Sequence, residues 1–355
     1  MNTALFYTDK PAFGLDIGFG NLKVMQIDRG HNNKKRPIAG YGVASFDPGA
    51  IVDGVIKDPE VIAKAIHDLF NKNLIGNITT RRVAIALPAA RTFNRTMVLP
   101  RLNANDLGEA VKLETEQYIP LPIADLYLDY TVVRKSDAET ELLAVAVPRK
   151  IVDSYLDLVK ILGLEPIIME TTISAGGRLF VQAENSDVPT VLIDFGSMST
   201  DMTVFDGVPI VTSTIHGGGD SFSRLIAKKL NVSDQEAYII KTKYGMGVSK
   251  KQKEVTEGLE PILGQLLKEV RRMIRYYEER SNTKQKINQI VTMGGGANMP
   301  GLSEYMTNQL RLPVRMCDPW QELVFADLQP PNTTEKSMFV TVAGLALLNP
   351  RKIFQ

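Results

Sequence analysis

The sequence predicts an α/β protein built from two duplicated lobes, one of which carries an inserted βαββα subdomain. Three observations carry this. Short apolar runs alternate with stretches of helical periodicity along all 355 residues, a length that calls for more than one core. A strand, polar turn and strand occur twice, with Asp16, Gly18 and Asp28 echoed at the same spacing by Asp194, Gly196 and Asp206. Between a strand at 83–87 and a returning strand at 167–169, the pattern strand, helix, strand, strand, helix is interposed.

The first lobe opens on a meander, because 13–17, 22–27 and 38–46 are apolar runs separated by glycine-rich or charged turns. Residues 57–74 read as a helix, and 83–87 as a short buried strand stopped by Pro88. The insert starts with a strand at 95–99. Asn103 is placed to cap a helix with Leu107, Ala110, Val111 and Tyr118 on one face, which must stop before Pro120. Strands at 126–133 and 142–147 precede a helix over 149–162 closed by Gly163. After the second hairpin, Leu259, Leu263, Leu266, Val270, Met273 and Tyr277 mark a long amphipathic packing helix. A strand at 289–293 runs into Gly294, Gly295, Gly296, Ala297 and Asn298, a helix starts near Pro300, and an apolar helix near 339–348 follows.

Forty-one Lys and Arg against forty Asp and Glu leave a net charge of +1, which excludes a chain-wide electrostatic footprint for nucleic acid or an anionic membrane. Any such partner needs a local patch. The single cysteine, Cys317, has no cysteine to pair with and no Cys or His neighbour at ligand spacing, which fits a reducing compartment and a buried structural role. Residues 1–13 include Asp9 and Lys10 and no long apolar run, so neither a signal peptide nor a membrane-spanning helix is expected. Membrane association is then expected through a partner or a modest surface.

In the first turn, Gly18 and Gly20 let backbone approach an anion, with the Asn21 amide as a donor and Lys23 as a point charge. A glycine-rich hairpin with a solvated lysine is the plainer reading, and the repeated partner motif favours the phosphate site. In the second turn, Gly196 gives backbone access while Ser197, Ser199 and Thr200 supply hydroxyls. Asp16 and Asp194 suit magnesium-bound water, since Mg²⁺ keeps several waters and needs few carboxylates; each also suits a bond within its own turn. Gly218 and Gly219 precede a helix whose first N–H groups are a further phosphate candidate, whereas His216 reads as a loop or packing residue. Glu170 is read as lying just after the returning strand, either near a γ-phosphate or as a capping or surface residue, and no catalytic base is identified.

These segments, in this order and at these separations, resemble the phosphate-1 (16–23), phosphate-2 (193–200) and adenosine (294–298) motifs of the actin-like ATPase superfamily. Within it, Leu99, Pro100, Arg101 and Leu102 at the head of 99–111, Glu114 to the Pro120, Leu121, Pro122 stop, and Asp129 with Tyr130 are similar to the PilM family. The resemblance implies an actin-like ATPase fold with the insert that PilM and FtsA share. It divides the chain into a first lobe (12–88, 167–188 and a final helix in 336–355), the insert (89–166), a second lobe (189–220 and 287–335) and its helical subdomain (221–286). ATP and Mg²⁺ are the implied cofactors, held between the lobes. Gly18, Gly20, Asn21, Lys23, Gly196, Ser197, Ser199, Thr200, Gly218, Gly219, Lys241, Gly294, Gly295, Gly296 and Asn298 face the nucleotide, and Asp16 and Asp194 the metal.

Two departures stand out. Phe19, Gly20 and Asn21 replace the serines usual in the first turn, and in 237–241 the family's Ala-Glu-x-x-Lys keeps Lys241 but puts Tyr238 in place of Glu. The implied function is a cytoplasmic, ATP-binding adaptor of type IV pilus assembly with slow or absent hydrolysis. Its partner is the cytoplasmic N-terminal segment of a PilN-like inner-membrane protein, docked between the insert and the first lobe with the helix at 105–119 as one wall. Leu107 and Val111 are expected in the insert's own core rather than in that contact. Other pilus assembly proteins are implied partners, self-association stays open, and neither nucleic acid nor direct membrane insertion is expected. A filament-forming relative of FtsA or MreB is the alternative, disfavoured because the chain ends Pro350-Arg-Lys-Ile-Phe-Gln355 rather than in an amphipathic helix. A sugar-kinase-like enzyme is the more distant one.

Overall fold

A computed structural model describes residues 10–28, 36–184, 188–280 and 285–350. The expectations about residues 1–9 and 351–355 lie outside them. The chain forms two compact units, 1–179 with 320–330 and 341–355, and 180–319 with 331–340.

The first unit begins with β1 (Phe13–Ile17), β2 (Asn21–Ile27) and β3 (Arg36–Ser45), antiparallel in sequence. Helix α1 (Pro59–Asp68) starts later than expected because Asp58 caps it, accepting from the Val61 N–H at 3.2 Å, with Pro59 at the first position where its missing N–H is harmless. Its end changes pitch, since Leu69–Asn73 is a wider π-type turn. β4 (Arg82–Leu87) is buried along its whole length. The insert follows as β5 (Phe93–Pro100), α2 (Ala104–Glu116), β6 (Leu126–Lys135), β7 (Glu139–Pro148) and α3 (Arg149–Ile161). The chain then returns through β8 (Glu165–Thr171) into α4 (Thr172–Glu184).

The insert's strands make an antiparallel sheet in the order β5-β7-β6. Asn103 caps α2 by accepting from the Asp106 N–H at 3.0 Å, and Leu107 and Val111 are buried on Met97, Leu142 and Ala144. Helix α3 has a different destination. Its Ile151, Tyr155, Leu158 and Val159 enter the main core with Leu15, Leu22 and Ile62. The main sheet contains the run β8-β4-β1-β2-β3, parallel across the first three and antiparallel across the last three, with the short strands Ile75–Gly76 and Leu323–Val324 added on β3. The closing helix Val340–Ala346 lies so close that a Cβ on Gly14 would stand 2.7 Å from the Leu345 Cβ.

The second unit repeats the plan. It contains β9 (Thr190–Phe195), β10 (Ser199–Asp206), β11 (Val208–His216), α5 (Gly219–Leu230), α6 (Asp234–Lys243), α7 (Gln252–Arg280), β12 (Gln289–Met293), α8 (Leu302–Leu310) and β13 (Val314–Met316). Its sheet order is β11-β10-β9-β12-β13, antiparallel across the first three and parallel across the last three. These five strands therefore match the five-strand run of the first unit in order and sense. The amphipathic stripe of α7 is buried from Val255 through Leu259, Leu263, Leu266, Val270 and Met273 to Tyr277, whose hydroxyl donates to Asp206 at 2.7 Å. Cys317 is buried and forms no disulfide.

Candidate functional site

In the first unit the Asp-Gly turn joins β1 to β2. Opposite residues of an antiparallel pair share a face, and Asp16 pairs with Lys23, whose ammonium donates to the Asp16 Oδ2 at 3.0 Å. Both are almost fully buried, with side chains 10% and 8% exposed. The turn closes through the Gly18 N–H on the Asn21 carbonyl at 2.9 Å and the Gly20 N–H on the Gly18 carbonyl at 3.2 Å. Gly20 has φ +100, a conformation that glycine adopts without a Cβ penalty. Phe19 is partly buried and packs on the core. Tyr155 of α3 is buried near Asp16; burial first, and the Asp16 charge second, hold its phenol well above the usual tyrosine range.

In the second unit four separate segments meet. The Gly219 N–H donates to the Gly196 carbonyl at 2.8 Å and the Asp220 N–H to the Ser197 carbonyl at 3.0 Å, so the first N–H groups of α5 are spent on the turn rather than left open. A Cβ on Gly218 would lie 2.1 Å from the Gly196 carbonyl oxygen, which only glycine avoids. Thr200 is buried and its hydroxyl donates to the Gly217 carbonyl at 2.8 Å. Lys241 is buried too: its ammonium donates to the Gly219 carbonyl at 2.8 Å and stands 4.9 Å from the centre of the Tyr238 ring. Burial lowers its pKa, with Asp220 acting in the opposite direction.

The third glycine segment closes on the same turn. A Cβ on Gly294, at φ +82, would stand 2.2 Å from the Asp194 Oδ1, and one on Gly296 would stand 2.8 Å from the Phe195 Cβ. Gly295 differs, being exposed with nothing within 4 Å of its Cβ direction. Asn298 donates to the Gly295 carbonyl at 3.3 Å, while its buried Oδ1 has no hydrogen-bond partner among the described residues. Ser337 holds the segment from behind, its carbonyl accepting from the Gly294 N–H at 3.1 Å and its hydroxyl donating to the Gly294 carbonyl at 2.6 Å.

The second unit thus gathers Asp194, Gly196, Ser197, Ser199, Thr200, Gly218, Gly219, Lys241, Gly294, Gly295, Gly296 and Asn298, and the first gathers Asp16, Gly18, Gly20, Asn21 and Lys23. Glu170 needs a correction. It lies inside β8, not after it, and Arg178 holds both its oxygens at 2.5 Å while also donating to the Gly344 carbonyl at 3.0 Å. A carboxylate so engaged is a poor candidate for a base.

Asp201 was not singled out from the sequence. It pairs with Asp194 across β9 and β10, the place Lys23 holds opposite Asp16, so aligning the two repeats residue by residue finds it. Its carboxylate accepts from the hydroxyls of Thr214 and Ser199, and burial pushes its pKa up against those bonds. Tyr155 and Ser337 reach their places through tertiary packing alone and left no local signal. No group of three or more His, Cys, Asp or Glu that would hold a metal occurs among the described residues.

A sheet of the same order and sense in two units, each opening on an Asp-Gly hairpin turn, defines the actin-like ATPase fold. The model of the family "Type IV pilus assembly protein PilM" matches residues 14–349, and the chain belongs to that family. A solved structure described as "PilM-PilN type IV pilus biogenesis complex" is similar at TM-score 0.81 and 22% identity, covering 97% of this chain and 98% of that one. The ethanolamine utilization protein EutJ of Carboxydothermus hydrogenoformans is similar at TM-score 0.55 and 15% identity, covering 95% and 89%. MreB 5 of Spiroplasma citri, solved with AMPPNP, is similar at TM-score 0.52 and 14% identity, covering 95% of each chain. Members of this superfamily generally bind ATP with Mg²⁺.

Proposed function

We propose that this chain is a nucleotide-dependent adaptor of type IV pilus assembly, which binds ATP with Mg²⁺ and captures the cytoplasmic N-terminal segment of a PilN-like inner-membrane protein. The family match over 14–349 carries the reading, because it spans both repeated hairpins and the insert. The likeness to a chain described in complex with PilN supports the partner. The chain works from the cytoplasm and reaches the membrane through that partner; among the described residues no helix is long and apolar enough to cross a membrane.

In this reading the backbone of Gly18, Gly20, Gly196 and Gly295 approaches the nucleotide, Asn21, Ser197 and Ser199 add donors, and Asp16 and Asp194 receive the waters of Mg²⁺. Lys23 and Lys241 act mainly by neutralising and bracing the turns, since their ammonium groups bond to Asp16 and to the Gly219 carbonyl. Hydrolysis is slow without partners. The engagement of Glu170 by Arg178 supports that. Bound ATP favours one conformation, and that conformation presents the surface for the peptide.

The insert supplies the peptide's docking wall. Leu107 and Val111 are committed to its core, while Leu113 on α2 is 64% exposed and available as an anchor. A pull-down with the synthetic N-terminal peptide of a PilN-like protein tests this. Capture is expected with ATP and Mg²⁺, weaker without them, and reduced in Leu113→Asp. Equal capture by the Leu113→Asp protein places the partner surface elsewhere, and no capture in any state removes the adaptor reading.

A further inference from the structure

The second unit carries a surface whose charge the rest of the chain does not share. Residues 238–253 contain Lys241, Lys243, Lys250, Lys251 and Lys253 and no Asp or Glu, in a chain of formal net charge +1. Lys241 is buried on the Gly219 carbonyl, and the other four lysines are exposed. None of those four forms an ion pair among the described residues. The neighbouring acids have hydrogen-bond partners outside the patch, though Lys251 still acts on Glu236 and Lys253 on Glu257 through space. Glu236 accepts from the Ser233 N–H and hydroxyl at the start of α6, and Glu257 accepts from Lys229 at 2.9 Å; Asp234 and Glu254 remain at the border.

Large apolar side chains stand among these lysines. Tyr238 and Ile239 on α6, and Tyr244 and Val248 in the loop to α7, are exposed, Val248 to 99%. The loop that holds Val248 out is firmly built. The Tyr244 and Gly245 N–H groups both donate to the Ile240 carbonyl, at 2.9 and 2.8 Å, and the Met246 N–H donates to the Pro300 carbonyl at 2.7 Å. The Gln252 side chain ties α7 back to it through the Met246 carbonyl at 2.9 Å. The fold therefore holds the Val248 tip in water beside four exposed lysines, of which Lys251 and Lys253 lie within electrostatic reach of Glu236 and Glu257.

We propose that this face rests on the anionic phospholipid headgroups of a bilayer surface. Lysine is a flexible point charge suited to lipid phosphate, tyrosine prefers the headgroup level, and a small apolar tip reaches the acyl boundary without a spanning segment. Each lysine near an anionic surface adds favourable free energy that falls off within a Debye length, so the contact is salt-sensitive. The patch belongs to the second unit and the PilN-like peptide's wall to the first, and the lipid contact needs neither peptide nor nucleotide. It would give a protein held by a membrane partner a defined face toward the lipid.

The test is co-sedimentation of the full chain, without partner or nucleotide, with phosphatidylcholine vesicles that contain or lack phosphatidylglycerol. Binding is expected only to the phosphatidylglycerol vesicles at low salt and should fall as salt rises. The triple variant Lys250→Glu, Lys251→Glu, Lys253→Glu is expected to lose it by more than about tenfold. Val248→Asp, at a side chain with no neighbours to disturb, should weaken binding with Tm unchanged. Absence of parent binding at low salt, equal binding to phosphatidylcholine alone, or undiminished binding by both folded variants would overturn the proposal. So would capture of a polyglutamate peptide or of DNA by this face in a protein that ignores the vesicles.

Discussion

The two hairpin turns share a backbone and differ in charge. In each, the residue after the third strand donates to the turn: the Phe46 N–H to the Gly20 carbonyl at 3.0 Å, and the Gly217 N–H to the Met198 carbonyl at 2.9 Å. Two positions further on, the first copy has Pro48, which has no N–H, and the second has Gly219, whose N–H closes on Gly196 at 2.8 Å. The Asp that opens each turn faces Lys23 in the first copy and Asp201 in the second. The first turn is thus neutralised within the fold. The second places two carboxyl groups opposite each other, and Asp201 accepts from the hydroxyls of Thr214 and Ser199. A duplicated backbone has been kept while its electrostatics diverged.

The largest effect that tests this contrast is at Lys23. Lys23→Ala leaves Asp16 buried without its cation and should cost about 3–5 kcal/mol in a urea melt, because breaking a buried pair from one side is far worse than removing both partners. The pair variant Asp16→Asn, Lys23→Met should recover most of that loss. If the single and double variants are equally unstable, the ion pair is not what neutralises the first turn. A lowered ATP response of Lys23→Ala alone would not separate phosphate contact from misfolding, and the double variant is needed beside it.

At Gly294 the expected cost is smaller, about 1–3 kcal/mol for the strained backbone alone, with the Asp194 contact adding to it. Gly294→Ala should therefore lower Tm clearly, and an unchanged Tm would show that the turn relaxes freely. Asp201 gives a weaker, pH-dependent signal. Its folded pKa is raised above the ordinary 3.8, so the folded state keeps the proton while the unfolded state loses it. Its contribution to stability is complete below pH 3.8 and declines as pH rises through the folded value. Asp201→Asn should therefore match the parent in acid and gain on it toward neutrality; a constant difference across pH would mean that the carboxyl does not titrate differently on folding.

Much of the fold was legible in the sequence. The first strand and the one at 289–293 fall where their apolar runs do, and the repeated Asp-Gly spacing gave the duplication, because a hairpin's two strands and turn are encoded within a dozen neighbouring residues. What long-range packing decides was not legible. Helix α3 has the same amphipathic pattern whether it covers the insert or enters the main core, and only the structure puts Tyr155 beside Asp16. The grip of Arg178 on Glu170 is set by the turn from β8 into α4, and the Ser337 bonds to Gly294 join residues far apart in sequence. Glycine positions were legible as candidates, but not which of them serve packing: Gly218, Gly294 and Gly296 are closed in by neighbours, and Gly295 alone of the third segment is open.

That opening offers the most direct measurement of nucleotide binding, which is the central claim. A side chain at Gly295 meets nothing in the fold, so Gly295→Val should melt within about 0.5 kcal/mol of the parent in the absence of ligand. Thermal melts of both proteins with ATP and Mg²⁺ then isolate the site, since a ligand that binds only the folded state raises Tm with concentration. The account predicts a rising Tm for the parent, dependent on Mg²⁺, and little or no shift for Gly295→Val. No shift for a folded parent at millimolar ATP, or equal shifts for the two proteins, would contradict it.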